Sequence, residues 1–504
     1  MSIVRRSNHL VWPIHTEGGA RRLPLIYGHN VTSASSLVFL GVLAHAATTP
    51  CTPHTHSFHT HSAFHPSPFC VSGRSSTEGN VLVTPRRMPR TPKGQNAAMI
   101  VSTAGKLLWY QRRKERIYDL KTVTYHGRPH LAYHVRTGTA DGEYELRDSR
   151  YRVVKRIKFG RPFRTDLHEL QLTDAGTAYI GSFHRLRVKG TGVVTEYVVR
   201  EIDVETGRVL FQWRSLKHVP LRDTYLPQPR RGTWDYFHGN SIEPPVPGDP
   251  TVIVSARNTS SVYGIDRATG KLRWTLGGKR DDFDIARGAT RFCAQHDARR
   301  LADGDVTLFD NGGRGNTERG CPSHAARVMR FRLDHKRKKA RLVASLTSRG
   351  SGGAAKPLLP VGFGSASMQS GGNVLVAWGT SGLVTDVRPD GRAQFTLNLP
   401  NASYRAAYSR WVGRPGSRPL LAARRRRGGI DAWASWNGAT EIAHWRLLTG
   451  ADPSRLRPTG GLVRFADLET RLRLSRSPRF VAVQALDARG RELGRSRTRS
   501  AAGR

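Results

Sequence analysis

Three histidines occupy matching places in three similar strings. Asp166-Leu-His-Glu-Leu-Gln-Leu-Thr-Asp-Ala-Gly176, Phe237-His-Gly-Asn-Ser-Ile-Glu-Pro244 and Gln295-His-Asp-Ala-Arg-Arg-Leu-Ala-Asp-Gly304 each put a histidine at a strand start, just before a glycine-bearing turn. His168, His238 and His296 are 70 and 58 residues apart, and the next equivalent point, near Gly364, carries no histidine. Imidazoles gathered on one axis can attack an electrophile or shuttle protons. Arg257 and Asn258, in Ser255-Ala-Arg-Asn-Thr-Ser260, fall one strand after His238 and add a guanidinium and an amide that can fix an anion. Three histidines also suit zinc. No HExxH or close ligand pair accompanies them, and their companions are Asn and Arg, so anion chemistry fits better. A third reading has each histidine tying only its own turn.

The elements that must position these residues repeat as well. From residue 79 the chain is short apolar strands broken by Gly and Asp turns. One unit returns as Ile202-Asp-Val-Glu-Thr-Gly-Arg-Val-Leu-Phe-Gln-Trp213 and Ile265-Asp-Arg-Ala-Thr-Gly-Lys-Leu-Arg-Trp274, with Gly207 and Gly270 63 residues apart. Looser copies are Ser102-Thr-Ala-Gly-Lys-Leu-Leu-Trp109 and Arg388-Pro-Asp-Gly-Arg-Ala-Gln-Phe395, with further beats at Asp148 and near Asp334. Each unit reads as a hairpin. About six beats of about 60 residues predict an all-β chain with a six-bladed β-propeller, the alternative being an ordinary sandwich with coincidental turns. Alternating strands in Ala432–Leu447 and Phe480–Leu493 predict a small fibronectin type III-like β-sandwich behind it. The expected division is a leader at 1–78, the propeller at 79–421, and the sandwich with a basic tail at 422–504.

The chain has 504 residues, 38% of them hydrophobic, enough for more than one core. No apolar run is long enough for a polytopic membrane protein. With 81 Lys and Arg against 38 acidic residues the net charge is +43. The basic residues are dispersed, with local runs only at Arg424–Arg427 and His335–Lys339, so no specific nucleic-acid partner is expected. Association with anionic envelope polymers fits the charge. Arg5, Arg6, Arg21 and Arg22 precede an apolar stretch, Ser36–Ala47, in a signal-like layout that predicts secretion or envelope association; without true signal function the chain would be cytoplasmic. His54, His56, His59, His61 and His65 lie between Cys51 and Cys70 and read as a linker or a soft-metal tract. Cys293 and Cys321 can pair or remain buried thiols.

The motifs carry a family likeness. Thr165-Asp-Leu-His-Glu-Leu-Gln-Leu172, Trp234-Asp-Tyr-Phe-His-Gly-Asn-Ser-Ile-Glu243, Ser255-Ala-Arg-Asn-Thr-Ser260, Trp274-Thr-Leu-Gly-Gly-Lys279, Gln295-His-Asp297 and Phe309-Asp-Asn-Gly-Gly-Arg314 together resemble the arylsulfotransferase family, in its smaller soil-bacterial and fungal branch. The resemblance implies a six-bladed propeller that moves a sulfuryl group from an aryl sulfate to a phenol. The cycle is ping-pong, passes through a sulfated histidine, and works without the nucleotide sulfate donor of eukaryotic sulfotransferases; no cofactor or metal is expected. It implies His296 as nucleophile and His238 as general acid and base, with Arg257, Asn240 and His168 holding the sulfate oxygens. The longer periplasmic relatives carry an N-terminal sandwich domain where this chain has its leader. A non-catalytic extracellular protein that binds an anionic glycan or another ligand is the alternative.

Overall fold

The repeated turns form as hairpins. In the computed structural model, which describes residues 51–86, 94–138, 141–285, 291–313, 324–348 and 357–501, Asp203 Oδ1 accepts from the backbone and the hydroxyl of Thr206, both at 2.7 Å. Asp266 does the same for Thr269 at 2.9 Å. These turns join Gly192–Asp203 to Val209–Arg214 and Ser261–Asp266 to Leu272–Gly277. Gly207 and Gly270 take φ of +73° and +71°, a region that costs glycine little. At the Asp334 beat the carboxylate caps Arg337 in the same way, and Lys338 occupies the left-handed position instead of a glycine.

The hairpins extend into eight small, mostly antiparallel sheets of three to five strands. The expectation of a six-bladed β-propeller followed by a fibronectin type III-like sandwich is corrected by this pairing. The architecture is all-β, and each of the eight sheets is an open path of strands, none closed into a barrel or propeller. The reason is local: turn spacing records which consecutive strands pair, and carries no information on how finished sheets meet. Two pairings join distant parts of the chain. Asn80–Pro85 pairs with Ser403–Ser409, and Cys70–Gly73 pairs with Ala393–Asn398.

Six of the sheets contribute a strand to one buried region. These strands are Ile117–Tyr125, Leu170–Leu172, Gly239–Glu243, His296–Arg300, Ser365–Met368 and Ser403–Ser409. A charge network ties them together. Arg405 reaches Asp119 at 3.1 Å, Glu169 at 3.0 Å and Asp297 at 3.1 Å. Arg299 meets Glu169 and Asp297, both at 2.6 Å, and Glu243 at 3.3 Å. Lys121 joins Asp119 at 2.8 Å to Glu169 at 2.9 Å. Glu169 immediately follows His168, and Asp297 immediately follows His296, so the network anchors the strands that carry two of the histidines. Burial alone would raise the Glu169 carboxyl, but Arg299, Arg405 and Lys121 hold it well below the usual carboxylate range.

Two further sheets, at 420–474 and 444–500, share a core of Leu421, Ile430, Trp445, Leu472, Val481 and Val483. The histidine-rich segment lies against them. His59 stacks on Trp433 with ring centroids 3.7 Å apart and meets Glu469, while His56 meets Asp467 at 3.3 Å. Cys51 and Cys70 form a disulfide around this segment. Among the described residues no group of three or more His, Cys, Asp or Glu is placed to hold a metal ion. The signal-like stretch Ser36–Ala47 lies outside the described residues, as does Cys321; Cys293 is disulfide-bonded.

Candidate functional site

His296 is aimed by the chain around it. Gln295 Nε2 donates to Ser255 Oγ at 3.0 Å, the Ala256 carbonyl at 3.1 Å and the Ser261 carbonyl at 2.9 Å, pinning this strand to the neighbouring sheet. Ala294 and Asp297 take φ of +54° and +55°, and the pairing register shifts between His296 and Arg299. A bulge of this kind redirects a side chain without ending the strand. The imidazole is buried, with Nδ1 2.7 Å from Asn311 Oδ1 and 3.1 Å from the Ala294 carbonyl. Asn311 Nδ2 donates to the Phe363 carbonyl at 3.0 Å, which orients its Oδ1 toward His296. Two acceptors at Nδ1 assign the proton to that nitrogen and leave the Nε2 lone pair available. Burial, followed by the Arg257 guanidinium, pushes the imidazole well below its usual range, against the opposing pull of the Asn311 bond.

Asn311→Asp would set a carboxylate on Nδ1 and favour the imidazolium. The acid limb of the rate profile should then move to higher pH by about one to three units. A pH series of initial rates, beside wild type, checks this.

The other two histidines are held by carboxylates. His168 Nδ1 is 2.7 Å from Asp166 Oδ1, and His238 Nδ1 is 2.5 Å from Asp235 Oδ2. Their ring centroids are 5.3 Å apart at 78°. Phe183 packs on both, 5.5 Å from His168 and 5.1 Å from His238, and Tyr404 lies 5.4 Å from His168. His238 takes φ of +54°, and its carbonyl receives Arg257 N at 3.0 Å. Gly239 follows because a Cβ there would stand 2.2 Å from the Tyr197 ring.

Asn240 falls in the register shift between Gly239 and Ser241 and is fully buried. Its Nδ2 donates to the Gln295 carbonyl at 2.7 Å, so it links the His238 strand to the residue before His296. Arg257 bonds Asn258 Oδ1 at 2.8 Å and the Val361 carbonyl at 3.3 Å. Its guanidinium, His168 and His238 all act electrostatically on His296. The structure therefore gathers the five residues read from the sequence into one neighbourhood. Asn240 braces the strands of His238 and His296 through that bond.

Sequence reasoning missed the orienting partners. Asp166 and Asp235 stand two and three residues before their histidines, a local signal open to reading. Asn311 lies within a quoted motif, yet nothing in sequence joins it to His296. His134 was also missed. It is buried between Tyr118 and Tyr144, 6.2 Å and 5.1 Å away by ring centroid, and burial pushes it down to about 4. It enters the fold neutral, whereas the unfolded chain protonates it below about pH 6.5. Stability should therefore fall as pH drops from 6.5 toward 4, by about 3 kcal/mol from this group. Denaturant unfolding of wild type and His134→Phe across that range measures it, and the variant should be the less acid-sensitive.

The sequence model of arylsulfotransferase (ASST) matches residues 137–399, just over half of the chain. The chain belongs to the arylsulfotransferase family. The matched span contains His168, His238, Asn240, Arg257, His296 and Asn311, and stops short of Tyr404 and Arg405. A search of curated proteins finds no match. Among solved structures, a protein of unknown function from Bacteroides caccae is 12% identical with a TM-score of 0.41, covering 66% of this arylsulfotransferase-family chain and all of its own. Hydrazine synthase of Kuenenia stuttgartiensis is 14% identical with a TM-score of 0.36, covering 63% of this chain and 78% of its own. A catalytically inactive virginiamycin B lyase from Staphylococcus aureus is 7% identical with a TM-score of 0.34, covering 66% and 99% respectively.

Proposed function

We propose that the protein transfers a sulfuryl group from an aryl sulfate to a phenol in two half-reactions, as a member of the smaller branch its motifs resemble. The observation that carries this reading is the contrast at Nδ1: an amide oxygen on His296, and carboxylates on His168 and His238. A neutral amide fixes the tautomer of His296 without drawing it toward the charged form, which suits a nucleophile. A carboxylate partner supports a ring that carries a proton in transit.

In the first half-reaction His296 Nε2 attacks sulfur and the sulfur–aryloxide bond breaks. The leaving oxygen takes a proton from His238. In the second, an incoming phenol returns that proton to His238, its oxygen attacks the N-sulfonate, and the nitrogen–sulfur bond breaks to restore His296. Arg257 and His168 stabilise the sulfuryl oxygens as charge redistributes. Asn240 keeps the strands of His238 and His296 in register.

Intact mass spectrometry after brief exposure of the full chain to p-nitrophenyl sulfate tests the scheme. The expected result is a gain of one SO₃, located at His296 and discharged by added phenol. Tight donor binding with neither adduct nor nitrophenol release would favour a non-catalytic ligand-binding protein instead.

A further inference from the structure

Arg86 closes the strand Asn80–Pro85, where its backbone N donates to the Ala402 carbonyl at 3.1 Å. Its guanidinium lies between two aromatic faces, with Cζ 5.9 Å from the Tyr118 ring centroid and 5.7 Å from that of Phe363. Nε is buried and meets no acceptor, and no carboxylate among the described residues pairs with this side chain. Arginines that hold carboxylates give the contrast. Arg405 and Arg299 each hold three carboxylates, and Arg147 holds Glu145. The half-buried guanidinium gains from the two ring faces, while its buried Nε donor stays unsatisfied.

The position of Arg86 ties it to the histidines. The Phe363 ring that it covers packs 5.4 Å from Tyr404, which in turn packs 5.4 Å from His168. The Phe363 carbonyl is the group that orients Asn311 against His296. Phe363 holds this place at φ of +65°, a strained conformation for a bulky residue and one found most often at functional sites. Arg86 is thus two rings removed from His168, on the side lined by Phe363 and Tyr404. It also lies outside the span matched by the family.

We propose that Arg86 forms a subsite for a carboxylate borne on the aromatic ring of the substrate, so that the protein favours hydroxyaryl carboxylates over neutral phenols. The inference rests on the sulfuryl-transfer reading for its choice of an aromatic ligand. The half-buried aromatic side chains of Phe183 and Phe363 receive the ring, and the guanidinium fork takes both oxygens of a planar monoanion.

The test needs no turnover. Calorimetric titration of the full chain, without any sulfate donor, compares 4-hydroxybenzoate with its neutral isostere 4-hydroxybenzamide. Wild type should bind the benzoate about tenfold or more tightly. Arg86→Met should remove that preference and leave benzamide affinity within about twofold, since only the charge-paired contact is lost. Arg86→Lys, which keeps the charge and loses the fork, should retain part of it. Thermal melts establish that the variants fold; should Arg86→Met not fold, the wild-type ratio and Arg86→Lys decide. Equal affinities in wild type, no binding of either compound, or equal weakening of both by a folded variant would overturn the proposal. A wild type that prefers the benzoate yet forms no sulfated adduct would overturn the transfer scheme and leave the subsite standing.

Discussion

His296→Ala should lower sulfuryl transfer by about 10⁴-fold or more and abolish the covalent adduct, the scale seen when a nucleophile is removed from a cooperating catalytic set. The size follows from the division of labour. His296 alone presents an unprotonated Nε2 whose tautomer is fixed by two acceptors at Nδ1, 2.7 and 3.1 Å away. Burial and Arg257 keep the ring neutral, so its nucleophilic form persists well below pH 6.5. His238→Ala gives the informative comparison. That variant should still form the adduct, slowly, with its deficit smallest for donors whose phenols leave readily without a proton. Nitrophenol release and intact mass, measured on both variants, separate these outcomes. An adduct that persists in His296→Ala would assign the nucleophile elsewhere. His296→Gln, which can still donate to Asn311, checks that the loss is chemical and not a collapse of the pocket.

The second large effect concerns stability. Arg405→Met should cost about 3–5 kcal/mol, because it removes one partner from a buried ion network and strands the others. Arg405 is only 7% exposed and touches Asp119, Glu169 and Asp297, each from a different sheet. It also donates to the Asn240 carbonyl at 3.0 Å, beside Tyr404 at 3.1 Å. Its loss leaves Arg299 and Lys121 facing three buried carboxylates and the half-buried Glu243. Burial already raises the Glu243 carboxyl, so that group has least reserve. Urea unfolding quantifies the loss. A change below about 1 kcal/mol would place this network among pairs that contribute little. Activity should fall along with stability, since the network anchors the residues directly after His168 and His296.

Much of the local structure was legible in the sequence because its causes are local. An aspartate that caps its own turn and a glycine at positive φ act within five residues, so the hairpins at Asp203–Gly207 and Asp266–Gly270 could be read directly. Repetition of the histidine strings was legible for the same reason; the carboxylates beside His168 and His238 were equally local signals but went unread. The family follows from a match over residues 137–399. Sheet assembly was not legible. Hairpin periodicity led to a propeller and a sandwich, where the strands form eight separate open sheets. How sheets meet depends on side-chain packing and on pairings such as Asn80 with Ser409, which no turn signal encodes. The tertiary structure alone decided that Asn311 holds His296 and that Phe363 orients Asn311. It also decided that Arg405 joins carboxylates from three sheets. Such contacts form between residues tens to hundreds of positions apart, where burial strengthens electrostatics and makes each unpaired group costly.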